Sequence, residues 1–182
     1  MTIMAAMATT APVTLSNPTW DEISSALRLH YPNMCICWMD SIQNNALKTK
    51  YEKRKETIKL ARKQVTEMRV YHGTKAGNVE SIIENGFQTS HNRTCAYGIG
   101  TYFSNDANMS SFYTNMDKSE LSYMFVCKLL VGNIKVGVHA EEVDTSKYDN
   151  TMNLPENAKI YTTPYDDGAF PEYIIAFYKN AK

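Results

Sequence analysis

The apolar residues of this chain change their spacing about halfway along its 182 residues. In WDEISSALRL, Trp20, Ile23 and Leu27 recur every three or four positions, which is the period of a helix, and Thr19 is the expected N-cap. Later on, the runs LSYMFVCKLLVG, IKVGV, KIYTT and EYIIAFY are rich in β-branched and aromatic residues and are typical of strands. Because helices precede most strands, the pattern predicts one α+β domain with an antiparallel-rich sheet.

Three more helices are expected in the first two thirds of the chain. Asn44 or Asn45 can cap a long one over 46–65, whose Lys and Arg residues we interpret as a solvent-facing surface. A second helix, over 77–85, should stop at Gly86, and a third should follow a cap at Asp106. The segments MCICWMDSI, EMRVYHG and TYFS are predicted strands between them.

The overall composition excludes several classes of protein. Nineteen basic and nineteen acidic residues cancel, which disfavours a nucleic-acid grip through bulk charge. No apolar run reaches the roughly 20 residues of a membrane span, so we expect no membrane partner. Residues 1–18 are rich in Ala, Thr and Pro and lack the basic start of a signal peptide. We predict a disordered tail over 1–18 and a single domain over 19–182.

The four cysteines do not form a recognisable metal or disulfide pattern. Cys35, Cys37, Cys95 and Cys127 contain no CxxC pair and have no His at zinc spacing, so no metal is predicted. We interpret Cys35 and Cys37, two apart on a strand, as small core residues. Free cysteines and the missing signal peptide favour an intracellular location, in the cytoplasm, the nucleus or both.

The tripeptide His72-Gly73-Thr74 lies where a predicted strand runs into a loop. A glycine there lets a flat carboxamide reach the backbone, which offers one donor and one acceptor side by side. The His72 imidazole could bind a ribose hydroxyl. On this tripeptide alone, a structural histidine at a strand end explains the pattern equally well.

A second candidate segment is AYGIGTYFSNDANMSSFY, residues 96–113. Gly98 and Gly100 allow a tight bend before the strand that carries the flat, amphipathic Tyr102. Ser110 and Tyr113 are three apart on a predicted helix and would share a face. That face could offer a hydroxyl to an amide and a ring for stacking, although core packing explains each residue taken singly.

Taken in order, VYHGT, YGIGTYFSNDANMSSFY, LLVGNIKVG and FPEYIIAF resemble the catalytic domain of the poly(ADP-ribose) polymerase family, the diphtheria-toxin-like ADP-ribosyltransferases. The preceding SIQNNALKTKYEKRK resembles the family's opening segment, so the resemblance covers about 20–182. It implies a split antiparallel β-sheet with flanking helices, and an enzyme that takes NAD+ as co-substrate and needs no metal.

The resemblance also implies a role for each matching residue. Gly73 would clamp the nicotinamide carboxamide with help from Ser110, while Tyr113 stacks on the ring and Tyr102 packs against its other side. His72 would bind the adenine-proximal ribose. A donor loop, about 87–97, would cover NAD+. The residues implied to bind NAD+ are His72, Gly73, Thr74, Tyr97, Gly98, Tyr102, Phe103, Ser110 and Tyr113.

The third position of the family's catalytic motif separates chain-building members, which have Glu, from mono-transferring members, which have Ile, Leu or Tyr. Here it could be Glu172 or, counting back through Tyr165 and Asp166, Ile160. We prefer Ile160, since Glu172 would leave no chain for the last strand. The motif is then His72, Tyr102 and Ile160, which implies transfer of single ADP-ribose units.

Other interpretations stay open at this point. A polymer-forming enzyme would use Glu172, and a non-catalytic member of the same fold would only bind NAD+ or a partner. A related RNA 2′-phosphotransferase would want several arginines near the site, where chiefly Arg93 is available. We expect a monomer that modifies a protein acceptor, itself included, and a nucleic-acid acceptor stays open.

Overall fold

The structure is a computed structural model and describes residues 18–30, 32, 34–91, 95–118 and 120–179. Residues 1–17 of the predicted tail lie outside the described residues, as does Arg93. Pro18, which we had placed in the tail, opens the first helix instead. The fixed φ of proline suits the first turn of a helix, so Thr19 lies inside the helix and is not its N-cap.

Within the described residues lie four α-helices and eight strands. The helices are α1 (Pro18–His30), α2 (Asn45–Arg62), α3 (Val79–Asn85) and α4 (Ala107–Ser111). The strands are β1 (Cys35–Ser41), β2 (Thr66–Thr74), β3 (Thr101–Ser104), β4 (Ser122–Val131), β5 (Ile134–Val136), β6 (Asn150–Met152), β7 (Ile160–Thr163) and β8 (Ala169–Tyr178). None of the helices is long and apolar enough to cross a membrane.

Asn44 joins two helices, which explains why the first turn of α2 is placed so firmly. Its side-chain oxygen accepts a hydrogen bond of 3.1 Å from the N–H of Leu47. Its side-chain nitrogen donates to the carbonyls of Ile83 and Glu84, each at 3.0 Å, at the end of α3. Gly86 then ends α3 with a φ of +76°, as predicted.

We had interpreted the Lys and Arg residues of α2 as a solvent-facing surface, but several of them form ion pairs with the rest of the domain. Arg54 pairs with Asp167, Lys55 with Glu67, and Arg62 with Asp149, at 2.7, 2.6 and 2.9 Å. The last pair is the most buried, with side-chain exposures of 12% and 3%. These contacts fasten α2 across the sheet, and its buried Tyr51 and Ile58 supply the apolar stripe that the spacing predicts.

All eight strands form one sheet in the order β1-β8-β4-β2-β3-β7-β6-β5. Every neighbouring pair is antiparallel except β5 and β6. The central strands β4 and β8 bury most of their side chains, among them Phe125, Val126, Ile175 and Phe177. The α+β class and the mostly antiparallel sheet are therefore confirmed.

The sheet is split between β2 and β3. Tyr71 paired with Ser104 is their one recorded register pair among the described residues, whereas β2 pairs with β4 all the way from Thr66 to Thr74. Past Tyr71 the strands β2 and β3 diverge, so the last residues of β2 have no paired strand on the β3 side. This divergence opens a groove in the middle of the sheet.

The interpretation of Cys35 and Cys37 as core residues is wrong. Cys35 is exposed and Cys37 is half-buried, while Cys95 and Cys127 are buried. The reason is that β1 lies at the edge of the sheet, and its pairing with β8 slips between Ile36 and Trp38. A β-bulge at that point turns side chains away from the regular alternation.

Candidate functional site

A cavity of about 600 Å³ fills the groove between β2 and β3. It brings together the predicted site residues His72, Gly73, Thr74, Tyr97, Tyr102, Phe103, Ser110, Tyr113 and Ile160. The remaining predicted residue, Gly98, adjoins Tyr97 just outside the lining. A second cavity, of about 450 Å³, lies between α2, the segment 85–89 and the segment 164–167, and holds none of the predicted site residues.

His72 faces the groove as a neutral imidazole. Its Nδ1 lies 2.8 Å from the carbonyl oxygen of Tyr102, which can only accept, so Nδ1 carries the proton and Nε2 is left as an acceptor. The ring packs against Phe87 and Phe103, with ring centroids 5.0 and 5.4 Å apart. Burial lowers the pKa of His72, and the hydrogen bond to Tyr102 opposes this more weakly.

Gly73 is required by the packing of α4 on β2. A Cβ atom at this position would lie 1.8 Å from the carbonyl oxygen of Ser110. The Ser110 hydroxyl, in turn, donates a hydrogen bond of 2.9 Å to the carbonyl of Tyr71 and is buried. This donation occupies its proton but leaves its oxygen able to accept from a ligand amide.

Tyr102 anchors the loop that precedes its own strand. Its hydroxyl donates to the carbonyl of Gly98 at 2.6 Å and accepts from the N–H of Tyr97 at 2.9 Å. Burial raises the pKa of the Tyr102 phenol, so it remains a neutral hydroxyl that can make both bonds. Gly98 has a φ of +101°, which suits glycine and lets the chain turn there. Of the predicted donor loop, residues 92–94 lie outside the described residues.

Tyr113 does not lie on a helix, because α4 ends at Ser111 after five residues. Asp106 caps α4 as predicted, by accepting from the N–H of Asn108. The chain continues as a turn in which the N–H of Tyr113 bonds the carbonyl of Ser110 at 3.1 Å. Ser110 and Tyr113 therefore both line the groove, and Tyr113 is 67% exposed at its rim.

Ile160 and Glu172 lie in different halves of the sheet. Ile160 opens β7, pairs with Ser104 of β3, and lines the groove. Its N–H is held by the side-chain oxygen of Asn153 at 3.1 Å. Glu172 lies on β8, where it forms an ion pair of 2.8 Å with Lys128 of β4, and it lines neither cavity. The structure thus places Ile160, and not Glu172, beside His72 and Tyr102.

Several residues that line the groove were not predicted from the sequence as site residues: Lys75, Asn78, Cys95, Met109 and His139. Lys75 directly follows the His72-Gly73-Thr74 tripeptide, and that position could have drawn attention to it. His139 carries no such signal, because only the tertiary structure brings its turn to the groove. Among the described residues, no group of three His, Cys, Asp or Glu side chains could hold a metal ion.

Comparisons with known proteins agree with this geometry. A family model for the Poly(ADP-ribose) polymerase catalytic domain matches residues 22–172. Human protein mono-ADP-ribosyltransferase PARP14 is 30% identical over 177 residues, which cover 90% of this chain and 10% of PARP14. Mouse protein mono-ADP-ribosyltransferase PARP12 is 28% identical over 186 residues, which cover 93% of this chain and 26% of PARP12.

The crystal structure of the PARP domain of Arabidopsis RADICAL-INDUCED CELL DEATH1 has the same fold, with a TM-score of 0.76 at 18% identity. The match covers 87% of this chain and 97% of that one. This chain spans only a small part of the two relatives matched by sequence, but it spans nearly the whole of that isolated domain. The chain belongs to the poly(ADP-ribose) polymerase catalytic domain family.

Proposed function

We propose that this domain is an NAD+-dependent mono-ADP-ribosyltransferase, which moves one ADP-ribose unit from NAD+ to a protein acceptor and releases nicotinamide. Catalytic domains of this family use NAD+ as co-substrate. The observation that carries the proposal is the position of Ile160, which lies with His72 and Tyr102 along one groove while Glu172 lies on β8. The acceptor residue and the absence of chain elongation are parts of this proposal.

The groove offers complementary groups for each part of the nicotinamide riboside. In the proposed complex, the carboxamide lies against the backbone of Gly73, at the edge of β2 that has no paired strand. Ser110 accepts from the amide nitrogen, and the exposed Tyr113 ring stacks on the pyridine. The free Nε2 of His72 accepts from a ribose hydroxyl.

The proposed chemistry is a substitution at C1 of the nicotinamide ribose through an oxocarbenium-like state. The groove assists by holding the ring and its amide in a reactive orientation. An Ile side chain at position 160 cannot stabilise the cation as a carboxylate would, so a carboxylate on the acceptor serves instead. Nothing at Ile160 can activate a second ribose hydroxyl, so the product is a single ADP-ribose.

The test incubates the purified protein with radiolabelled NAD+ and follows labelled protein and free nicotinamide. Discrete labelled bands are expected for the wild type and for Glu172→Gln, which alters the competing carboxylate outside the groove. Tyr102→Ala should remove the label, because the loop loses both of the hydrogen bonds that the Tyr102 hydroxyl makes with it. Ile160→Glu tests whether a carboxylate in the groove changes the product.

A ladder of polymer from the wild type would contradict the absence of elongation. Loss of that ladder in Glu172→Gln would show that Glu172 is the carboxylate that supports elongation. Wild-type protein that binds NAD+ but releases no nicotinamide would instead be a binding module. Thermal unfolding of each variant separates loss of activity from loss of folding.

A further inference from the structure

A tight turn over 137–141, directly after β5, forms one end of the groove. The N–H of Ala140 bonds the carbonyl of Cys95 at 2.8 Å, and the N–H of Ile99 bonds the carbonyl of Glu141 at 2.9 Å. A Cβ atom on Gly137 would lie 2.0 Å from the carbonyl oxygen of Tyr97, so the turn lies directly on that loop. Since Tyr102 anchors the same loop, the turn is fastened to the site.

Further bonds fix the turn from its other side. The N–H of Gly137 donates to the carbonyl of Met152 in β6 at 2.9 Å, and the N–H of Glu141 closes the turn on Val138 at 3.2 Å. Lys135 and Glu141 form an ion pair of 2.7 Å across its base. A surface turn held by this many contacts presents whatever side chain it carries in a defined place.

The side chain presented to the groove is His139. It lines the cavity and is exposed, and no described residue forms a hydrogen bond or ion pair with its imidazole. Its structural surroundings therefore give no reason for a histidine at this position. The backbone hydrogen bonds of Gly137 with β6, and of Ala140 and Glu141 with the segment 95–99, place the turn at the end of the groove towards Ile160. Lys75 and Asn78, which follow β2, lie towards its other end.

We propose that His139 is the base that takes the proton of a hydroxyl acceptor during ADP-ribosyl transfer, an inference that rests on the proposed function. A carboxylate acceptor attacks without losing a proton, but a hydroxyl must lose one, and Ile160 cannot receive it. A neutral imidazole beside the acceptor can. The substrate class of the domain then extends to hydroxyl groups, including water.

The hydroxyl oxygen forms a bond to C1 of the nicotinamide ribose while the bond from C1 to the ring nitrogen breaks. The electron pair of that bond stays on the nitrogen, so nicotinamide leaves as a neutral molecule. The hydroxyl proton passes to a nitrogen of the His139 imidazole, which becomes charged and returns the proton to solvent.

The test uses water and methanol as acceptors, so that no protein target has to be known. NAD+ is incubated with the full chain in aqueous methanol, and nicotinamide, ADP-ribose and methyl ADP-ribose are quantified across the pH range. His139→Gln keeps the polarity of the side chain but cannot act as a base. It should lower kcat for both products about a hundredfold, with KM for NAD+ unchanged within about twofold.

The pH profile gives the second readout. Wild-type turnover should fall at acid pH, and the fall should be smaller in His139→Gln, in which only the loss of the neutral His72 acceptor still lowers the rate. The other titratable and charged groups along the groove and this turn stay in place in the variant: Cys95, Tyr97, His72, Lys75, Tyr102, Tyr113, Lys135 and Glu141. Val138→Ala, an exposed position on the same turn, is the matched control and should behave as wild type.

The outcomes separate this inference from the function on which it rests. Equal kcat and the same acid limb in wild type and His139→Gln would overturn the role of His139 while the transferase activity stands. A raised KM with unchanged kcat would also overturn it, since His139 would then only bind. Absence of turnover in the wild type would overturn the proposed function and this inference together.

Discussion

The two halves of the sheet are built differently. In the half that contains β1, β8, β4 and β2, long strands pair along most of their length and their fully buried side chains are mostly apolar. In the half that contains β3, β7, β6 and β5, the strands have three or four residues. Buried side chains there include Asn150, Thr151, Thr162 and Thr163.

Side-chain hydrogen bonds hold the polar half together, whereas apolar packing holds the apolar half together. Asn150 accepts from the N–H of Gly132 and donates to the carbonyl of Thr162. The Thr151 hydroxyl donates to the carbonyl of Tyr97, at the groove itself. Buried polar groups of this kind fix geometry because each needs its partner. We infer that the apolar half supplies most of the stability and that the polar half shapes the site.

The strongest test of this division is a substitution that creates a cavity in the apolar half. Phe177 of β8 is fully buried with Ile23 and Leu27 of α1. Phe177→Ala should lower the free energy of unfolding by about 3–5 kcal/mol, through lost burial and a residual cavity. Urea unfolding followed by circular dichroism measures this. Phe112→Ala, at a 75% exposed position, is the control and should change stability by less than about 0.5 kcal/mol.

A cost below about 1 kcal/mol for Phe177→Ala would mean that the core can collapse around the missing ring, and that stability is spread more evenly over the two halves. An equal cost for Phe112→Ala would mean that the exposed aromatic residues after α4 are covered in solution.

Seven of the eight strands could be predicted from the sequence, and the one that was missed lies in the polar half. The runs that form β4 and β8 are long and rich in β-branched and aromatic residues, so both strands were expected close to their observed bounds. β8 starts earlier than predicted, since the register shift after Val126 accommodates Pro171 opposite Cys127. By contrast β6, Asn150–Met152, has no strand pattern and was missed, because tertiary hydrogen bonds define it.

The candidate site divides in the same way. The motifs predicted site residues from His72 to Ile160, and all of these except Gly98 line the groove. His139 was not among the predicted residues, since its place depends on a turn that folds back onto the segment 95–99. The early end of α4 was also missed, because local spacing predicts a continuing helix and says nothing of the turn at Tyr113.

A change on the groove side should affect ligand binding and leave stability alone. The ring of Tyr113 is exposed, and in the proposed complex it stacks on nicotinamide. Tyr113→Ala should weaken nicotinamide binding about tenfold, the value of one aromatic contact, with less than about 0.5 kcal/mol lost from stability. Calorimetric titration with nicotinamide measures the first and urea unfolding the second. Tyr113→Phe keeps the ring and should bind as wild type.

If Tyr113→Ala binds nicotinamide normally, the stacking role is wrong and the ring serves another purpose at the rim. If instead it unfolds the domain, the division between a stabilising half and a site-forming half fails at this position.

The smallest expected effect concerns pH and the boundary between the two halves, where His72 of β2 bonds the carbonyl of Tyr102 in β3. Burial holds the pKa of His72 below its usual 6.5, so the unfolded chain takes up a proton at higher pH than the folded one. The contribution of the neutral His72 ring to the free energy of unfolding is fully present above pH 6.5. It declines as the pH falls through 6.5 towards the pKa of the folded state. The loss cannot exceed about 1.4 kcal/mol per pH unit.

His72→Gln does not titrate in this range and keeps a donor for the Tyr102 carbonyl. Urea unfolding of both proteins between pH 7.5 and 5, chosen to bracket the ordinary histidine range of about 6.5, should show wild type losing stability faster than the variant on acidification. Parallel curves would mean that the imidazole takes up its proton equally well in the folded and unfolded states. The groove would then be wet enough at β2 to charge His72, and the neutral Nε2 acceptor on which the proposed ribose contact depends would be lost at mildly acid pH.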